Sequence, residues 1–139
     1  MLLRAAVSRH TDKEQTLPLD VLIVDDSAAI RKILQRVLVQ ADLTLGKVLE
    51  ANDGAEALEK LKTETVHLVL SDINMPRMDG LELLAHLRAD PKWKSLPVVM
   101  VTTEGSQNKV MQALELGANG YVRKPFTAEQ IKTKLAGLI

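Results

Sequence analysis

Short apolar runs alternate with amphipathic stretches along most of this chain. The runs predict five strands, at Leu19–Val24, from Val48 onward, at Val66–Leu70, at Val98–Val101 and at Gly120–Val122. Each run is nearly continuous, which is typical of strands that helices cover on both faces. Between the runs, apolar residues recur about every 3.6 residues, as in amphipathic helices. The pattern therefore predicts five successive pairs of a strand and a helix.

The predicted helices have recognisable ends. Ser27 and Asp53 are expected to be the N-caps of the first two helices, because their side chains can accept hydrogen bonds from free backbone amides. Gly46 is expected to break the chain before the second strand, and Gly117 to end the fourth helix. The positions expected on the apolar helix stripes are Ile30, Ile33, Leu34, Val37, Leu38, Ala41, Ala57, Leu58, Leu61, Leu81, Leu84, Leu87, Val110, Ala113, Leu114, Ile131, Leu135 and Leu138.

The connectivity sets the fold class. Right-handed crossovers between parallel strands predict an α/β fold, a doubly wound (βα)5 flavodoxin-like arrangement with a five-stranded parallel sheet in the order 2-1-3-4-5. Residues 1–18 have mixed charge and no clear periodicity, so we expect a flexible N-terminal extension. Residues 19–139 are expected to form the folded domain.

Composition narrows the function classes. The 139 residues suffice for one domain, and 18 basic side chains balance 18 acidic ones. A neutral chain has no overall field for nucleic acid or an anionic membrane, so neither is an expected partner. The absence of Cys excludes disulfides and thiolate metal sites. No apolar run approaches the roughly 20 residues of a membrane span, and we expect a soluble cytoplasmic protein.

Polar side chains follow four of the predicted strands. Asp25 and Asp26 end the first, Asp72 follows the third, Thr102 ends the fourth and Lys124 follows the fifth. Because the carboxyl ends of parallel strands lie at one edge of the sheet, these residues could meet in one pocket. Three converging carboxylates repel one another unless a cation compensates, and oxygen ligands without His or Cys favour Mg²⁺ or Mn²⁺.

Each residue also has a simpler interpretation. The acidic pair could be a helix start stabilised by the helix dipole, and Thr102 could reflect strand propensity alone. A lysine at a strand end is usually solvated. Beside an acidic pocket, however, Lys124 could hold Asp72 or a phosphate oxygen. A cis peptide bond to Pro125 would aim the lysine inward, but only about 5–6% of such bonds are cis in folded proteins.

Four stretches together resemble the receiver domain of response regulators, especially those of the chemotaxis type. They are Val24–Ser27, Leu70–Gly80, Val101–Glu104 and Gly117–Phe126, and the likeness extends from about Asp20 to Ile139. The resemblance implies that Asp72 is the phosphoryl acceptor and that Asp25, Asp26, Asp72 and the backbone carbonyl of Asn74 bind Mg²⁺. It further implies that Lys124 and Thr102 contact the phosphoryl group.

The resemblance also implies how the signal is transmitted. Thr102 and Tyr121 would form the switch, although Tyr121 could be an ordinary edge-strand aromatic residue. Asn74 and Glu104 would tune the lifetime of the phosphoryl group. A histidine kinase would supply the phosphoryl group, and a phosphatase would assist its removal. A downstream protein such as a flagellar motor switch would bind the surface of the fourth helix, fifth strand and fifth helix.

Other functions remain open at this stage. The chain could be a receiver cut from a longer transcriptional regulator. It could be an aspartyl-phosphate phosphatase of the haloacid dehalogenase type, although that class expects Asp-x-Asp after the first strand, where this chain has Asp25-Asp26-Ser27. A receiver would catalyse only its own phosphorylation and dephosphorylation, and a phosphorylation-independent scaffold would usually lack one of the key residues.

Overall fold

The computed structural model describes residues 18–103 and 107–138. The strands in these ranges are β1 (Leu19–Val24), β2 (Leu45–Ala51), β3 (Leu68–Ser71), β4 (Val98–Thr102) and β5 (Gly120–Arg123). The helices between and after them are α1 (Ala28–Gln40), α2 (Gly54–Thr63), α3 (Gly80–Ala89), α4 (Gln107–Leu116) and α5 (Ala128–Leu135). The strands form one parallel sheet in the order β2-β1-β3-β4-β5, which confirms the predicted fold class and strand order.

The core lies on both faces of this sheet. Alternate residues of β1 point to opposite faces, so Leu22 and Val24 belong to one apolar cluster while Val21 and Ile23 belong to the other. Helices α2, α3 and α4 cover the first cluster, and α1 and α5 cover the second. Burial on both faces explains why the strands read as continuous apolar runs.

Two local predictions are wrong. The second strand begins at Leu45 and runs through Gly46, because the missing side chain lets Asp20 approach: a Cβ on Gly46 would lie 2.3 Å from the Asp20 Oδ1 atom. Ile33 and Leu114, which were expected on buried stripes, are 43% and 41% exposed. A helix lying on a flat sheet buries a narrow arc, and in α4 that arc holds Val110 and Ala113.

The predicted N-caps are confirmed, since Ser27 accepts from the Ile30 amide and Asp53 from the Glu56 amide. Among the described residues, no helix is both long and apolar enough to cross a membrane. Residues 1–17 of the predicted extension lie outside the described residues.

Candidate functional site

Three aspartates meet at the carboxyl edge of the sheet. The register pairs Val24 of β1 with Ser71 of β3, so the residues that follow, Asp25 and Asp72, emerge side by side. The Asp72 amide continues the pairing by donating to the Val24 carbonyl at 2.9 Å. Carboxylate oxygens of Asp25, Asp26 and Asp72 all lie within 4.8 Å of one another. The edge therefore concentrates negative charge in a small volume.

Lys124 reaches this acidic cluster from the end of β5. Its Nζ atom lies 2.9 Å from the Asp25 Oδ2 atom and 3.6 Å from the Asp72 Oδ2 atom. The direct hydrogen bond is thus to Asp25, with Asp72 as the more distant partner. The peptide bond between Lys124 and Pro125 is cis. One ammonium is shared by two carboxylates, so neither carboxylate is fully compensated.

The electrostatics of Asp72 reflect that incomplete compensation. Asp72 is 9% exposed, and burial is the largest factor that raises the pKa of its carboxyl group. Lys124 opposes this increase, while the neighbouring Asp25 and Asp26 charges add to it. The net result is a raised pKa, as expected for a carboxylate with too little positive charge nearby.

The backbone around Asp72 is held firmly. The Ile73 amide donates to the Asp72 Oδ1 atom at 2.7 Å, and the Gly80 amide donates to the Ile73 carbonyl at 2.8 Å. Gly80 comes so close that a Cβ there would lie 2.2 Å from the Asp72 carbonyl oxygen. A glycine at this position is therefore required to place Asp72.

Asp25 is similarly constrained, whereas Asp26 faces solvent. The Ser27 amide donates to the Asp25 Oδ1 atom at 2.9 Å, and the Arg31 Nη1 atom donates to the Asp25 carbonyl at 2.7 Å. Asp25 is 1% exposed, while Asp26 is exposed. The cluster thus has a buried side, at Asp25 and Asp72, and an open side at Asp26.

Thr102 and Tyr121 lie on the β4 and β5 side of the site. Thr102 is the last residue of β4 and is 1% exposed, and its hydroxyl donates to the Thr103 carbonyl at 3.4 Å, which is long for a hydroxyl donor. Tyr121 is half-buried, and the Lys134 Nζ atom lies 5.3 Å from the centre of its ring. Within residues 18–103 and 107–138, neither side chain makes a hydrogen bond as short as those that hold Asp25 and Asp72.

The loop after β3 contains contacts that sequence reasoning missed. The exposed Asn74 accepts a hydrogen bond from the Lys109 Nζ atom of α4 at 2.6 Å. Farther along the loop, Arg77 pairs with the buried Asp53 at the start of α2. Asp53 was expected to cap α2, but nothing in the sequence spacing indicated that Arg77 pairs with it or that Lys109 pairs with Asn74. Glu104, the other expected lifetime-tuning residue, lies outside the described residues.

The donor set fits a hard divalent cation. The cluster offers carboxylate oxygens alone, which suits Mg²⁺ or Mn²⁺ and not the softer metals. Among the described residues, Lys124 alone forms ion pairs with these carboxylates, which leaves excess negative charge on the cluster, and the raised pKa of Asp72 is consistent with that excess. Asp25, Asp26 and Asp72 could therefore hold such an ion.

Comparisons with known proteins agree with this architecture. The family model of the response regulator receiver domain matches residues 21–136. A Chemotaxis protein CheY homolog of Campylobacter jejuni is 43% identical over 120 residues, covering 86% of this chain and 91% of the relative. Chemotaxis protein CheY-3 of Vibrio cholerae is 44% identical over 115 residues, covering 83% and 87%. The structure of chemotaxis response regulator CheY4 of Vibrio cholerae superposes with a TM-score of 0.76 at 35% identity, covering 88% of this chain and all of that one.

The fold and the matched family define the class: this chain belongs to the response regulator receiver family. More particularly, it is a phospho-accepting response regulator of chemotaxis-like two-component signalling. The transcriptional regulator and the haloacid dehalogenase-type phosphatase are not favoured by these relatives. Proteins of this class act between a histidine kinase and a downstream target.

Proposed function

We propose that Asp72 is the residue that accepts the phosphoryl group, within a receiver unit of residues 19–139 that acts in the cytoplasm. One observation carries the proposal: Asp72 is buried beside two other aspartates, and the nearest ammonium is closer to Asp25 than to Asp72. Its Oδ2 atom therefore lies in an electrostatically unsatisfied position. This oxygen can therefore act as the nucleophile that attacks phosphorus, with Lys124 next to it.

The proposed transfer starts from a phosphohistidine of the kinase. An Asp72 carboxylate oxygen forms a bond to phosphorus while the bond between phosphorus and the imidazole nitrogen breaks, and that nitrogen keeps the electron pair. Lys124 balances charge on the incoming oxygens, and the buried Thr102 hydroxyl is the nearest candidate donor on β4. Water later cleaves the bond between oxygen and phosphorus, which releases phosphate and restores the carboxylate. The domain catalyses these two steps on itself.

In this proposal, Asp25, Asp26, Asp72 and the backbone carbonyl of Asn74 hold Mg²⁺, with Mn²⁺ as a substitute. The bound ion would supply charge neutralisation and orient the phosphoryl oxygens. The formal charges of three carboxylates, one Mg²⁺ and one lysine cancel, whereas an acyl phosphate adds roughly one negative charge. That added charge favours new donors, and Thr102 is available because its present hydrogen bond is long.

The proposed output surface consists of α4, β5 and α5. Met111 and Leu114 of α4 are 57% and 41% exposed, so this surface offers two large apolar side chains to a partner. Tyr121 lies on β5 and can change its position when Thr102 moves. We propose that a downstream protein, such as a flagellar motor switch, binds this surface, and that a phosphatase assists signal removal.

The acceptor and metal assignments are tested by labelling. Acetyl phosphate with Mg²⁺ should add one phosphoryl group to the wild type, mapped by mass spectrometry to Asp72. Asp72→Asn should stay folded and unlabelled. Asp26→Ala should lower the rate of labelling by about 100-fold or more and should weaken Mg²⁺ binding at the same time. Asp42→Asn, which alters a distant aspartate of α1's C-terminal turn, is the matched control. Labelling that persists in Asp72→Asn, or in excess EDTA, would contradict the assignments.

The switch is tested without a partner protein. Beryllofluoride with Mg²⁺ should shift the amide resonances of α4 and Tyr121 in the wild type. Thr102→Ala should still be labelled at Asp72, but the shifts at Tyr121 should shrink because the coupling hydroxyl is gone. Thr102→Ser keeps the hydroxyl and should behave nearly as the wild type does. Equal shifts in the alanine and serine variants would show that the coupling does not depend on this hydroxyl.

A further inference from the structure

The two ends of the loop between β3 and α3 are held in different ways. At the far end, Arg77 donates to the Asp53 Oδ2 atom from Nε at 2.8 Å and from Nη2 at 2.6 Å. The Gly54 amide adds a bond to the Met78 carbonyl at 2.9 Å. Because Asp53 is buried and makes several bonds, this end is fixed to α2.

The near end, next to Asp72, depends on a more exposed contact. Among the described residues, the side chain of Asn74 makes one hydrogen bond, which it accepts from the Lys109 Nζ atom at 2.6 Å. Both partners are exposed. Lysine is a flexible point charge with a long stem, so this bond can break and reform far more easily than the Arg77 pair.

The position of this bond matters because of what it spans. Asn74 follows β3, while Lys109 belongs to the helix that follows β4. The lysine therefore connects the segments that follow two neighbouring strands, close in sequence to Asp72, which follows β3, and to Thr102, which ends β4. Asn74 and Lys109 are both exposed, so this part of the edge is open to the water that would hydrolyse a phosphoryl group on Asp72.

Lys109 also belongs to the helix of the proposed output surface. Val110 and Ala113 bury the inner side of α4, whereas Met111 and Leu114 remain exposed. A displacement of α4 would move Lys109 relative to Asn74. The bond thus connects the edge of the reaction site with the surface that a partner would contact.

We propose that Lys109 is a positioning residue that acts through Asn74 to control how long the phosphoryl group remains on Asp72, and that it makes this lifetime depend on the position of α4. The inference rests on the proposed function of Asp72. While the bond is intact, the Asn74 amide is held across the edge and hinders water. When the bond is broken, the amide moves freely and hydrolysis accelerates. A partner that shifts α4 would therefore change the lifetime through the same contact.

The experiment is a double-mutant cycle on dephosphorylation. Wild type, Lys109→Met, Asn74→Ala and the double variant are phosphorylated with acetyl phosphate and Mg²⁺, and the first-order loss of the group is measured after removal of the donor. Lys109→Met should accelerate the loss by about two- to tenfold, the range expected for one ordinary hydrogen bond. In the Asn74→Ala background, the same substitution should have no further effect.

Two further variants separate position from charge. Lys109→Arg keeps the cation and a donor, so it should restore most of the wild-type lifetime. Lys94→Met removes an exposed lysine before β4, at the opposite end of the sheet, and should leave the lifetime unchanged. In the unphosphorylated protein, Lys109→Met should also shift the side-chain amide resonance of Asn74, whereas Lys94→Met should not.

The outcomes distinguish the inference from the function on which it rests. An unchanged lifetime in Lys109→Met, or an equal acceleration with and without Asn74, would overturn the role of Lys109 while leaving Asp72 as the acceptor. An unshifted Asn74 resonance would overturn it as well. Failure of the wild type to be labelled at Asp72 would overturn both proposals.

Discussion

Asp53 and Asp72 are both buried aspartates that follow strands of the same sheet, yet their carboxyl groups have opposite properties. Burial alone favours the neutral form of Asp53, but the Glu56 amide and the Arg77 guanidinium more than offset it, and the pKa of Asp53 is lowered. At Asp72, burial dominates over Lys124, and the pKa is raised. A carboxylate with its own partners holds a helix and a loop in place. A carboxylate that must share its cation remains available to a metal ion and to phosphorus.

The two regions are joined by the loop between β3 and α3. Its backbone starts beside Asp72 and carries Arg77 to Asp53 before α3 begins with the Asp79 capping box. The stable region thus fixes the geometry of the reactive one. This arrangement explains how three carboxylates can be kept close together: the free energy that opposes their proximity is offset by hydrogen bonds elsewhere in the loop.

The largest expected effect comes from moving the backbone at Asp72. Gly80→Ala would place a Cβ 2.2 Å from the Asp72 carbonyl oxygen, so the loop must shift. We expect a loss of about 3 kcal/mol in the free energy of unfolding and a marked decrease in labelling by acetyl phosphate. Denaturant unfolding measures the first and mass spectrometry the second. Gly120→Ala, whose Cβ would meet the Lys134 Cδ atom at an ordinary 3.9 Å, is the control and should have a small effect on both.

The next effect comes from removing the charge at Asp53. Asn can still cap α2, so Asp53→Asn loses mainly the ion pair with Arg77. We expect a cost of about 1.5 kcal/mol at pH 7, moderate because the Arg77 side chain is 66% exposed. The lowered pKa of Asp53 means that its contribution is complete above the unfolded value of about 3.9 and is lost as the pH falls through the lower folded value.

Urea unfolding of the wild type and Asp53→Asn at several pH values checks this sign. The difference between the two proteins should be constant near neutrality and should shrink in acid. A difference that grows as the pH falls would contradict the assignment of Asp53 as a stabilising carboxylate.

The smallest expected effect is an increase in the free energy of unfolding, where the two preceding substitutions lower it. Because burial raises the pKa of Asp72, its ionised form disfavours folding at neutral pH, and Asp72→Asn should increase the free energy of unfolding by about 1 kcal/mol. This gain should disappear as the pH falls and the wild-type carboxyl becomes protonated. It should also diminish in excess Mg²⁺, which would stabilise the wild type selectively. Thermal unfolding with and without Mg²⁺ provides the measurement. If Asp72→Asn instead lowers the stability, the ionised Asp72 carboxylate stabilises the fold as that of Asp53 does, which would contradict this contrast.

Much of this protein follows from its sequence because the signals are local. The apolar runs and helical periods predicted the strands and helices, and the crossover rule then led to the strand order. The same order puts Asp25, Asp72, Thr102 and Lys124 at one edge of the sheet, since parallel strands end together. Ser27 and Asp53 were recognisable as caps because capping depends on residues within one helical turn.

The tertiary structure decided which side chains become partners. Lys124 lies closer to Asp25 than to Asp72, Arg77 pairs with Asp53, and Lys109 reaches Asn74. Each pair joins two separate elements of the fold. Which residues pair depends on the paths of the loops and on competition between nearby acceptors, and neither produces a periodic pattern in the sequence. The exposure of Leu114 was decided in the same way, because the width of the buried arc of α4 depends on how the helix lies against the sheet and not on its own sequence.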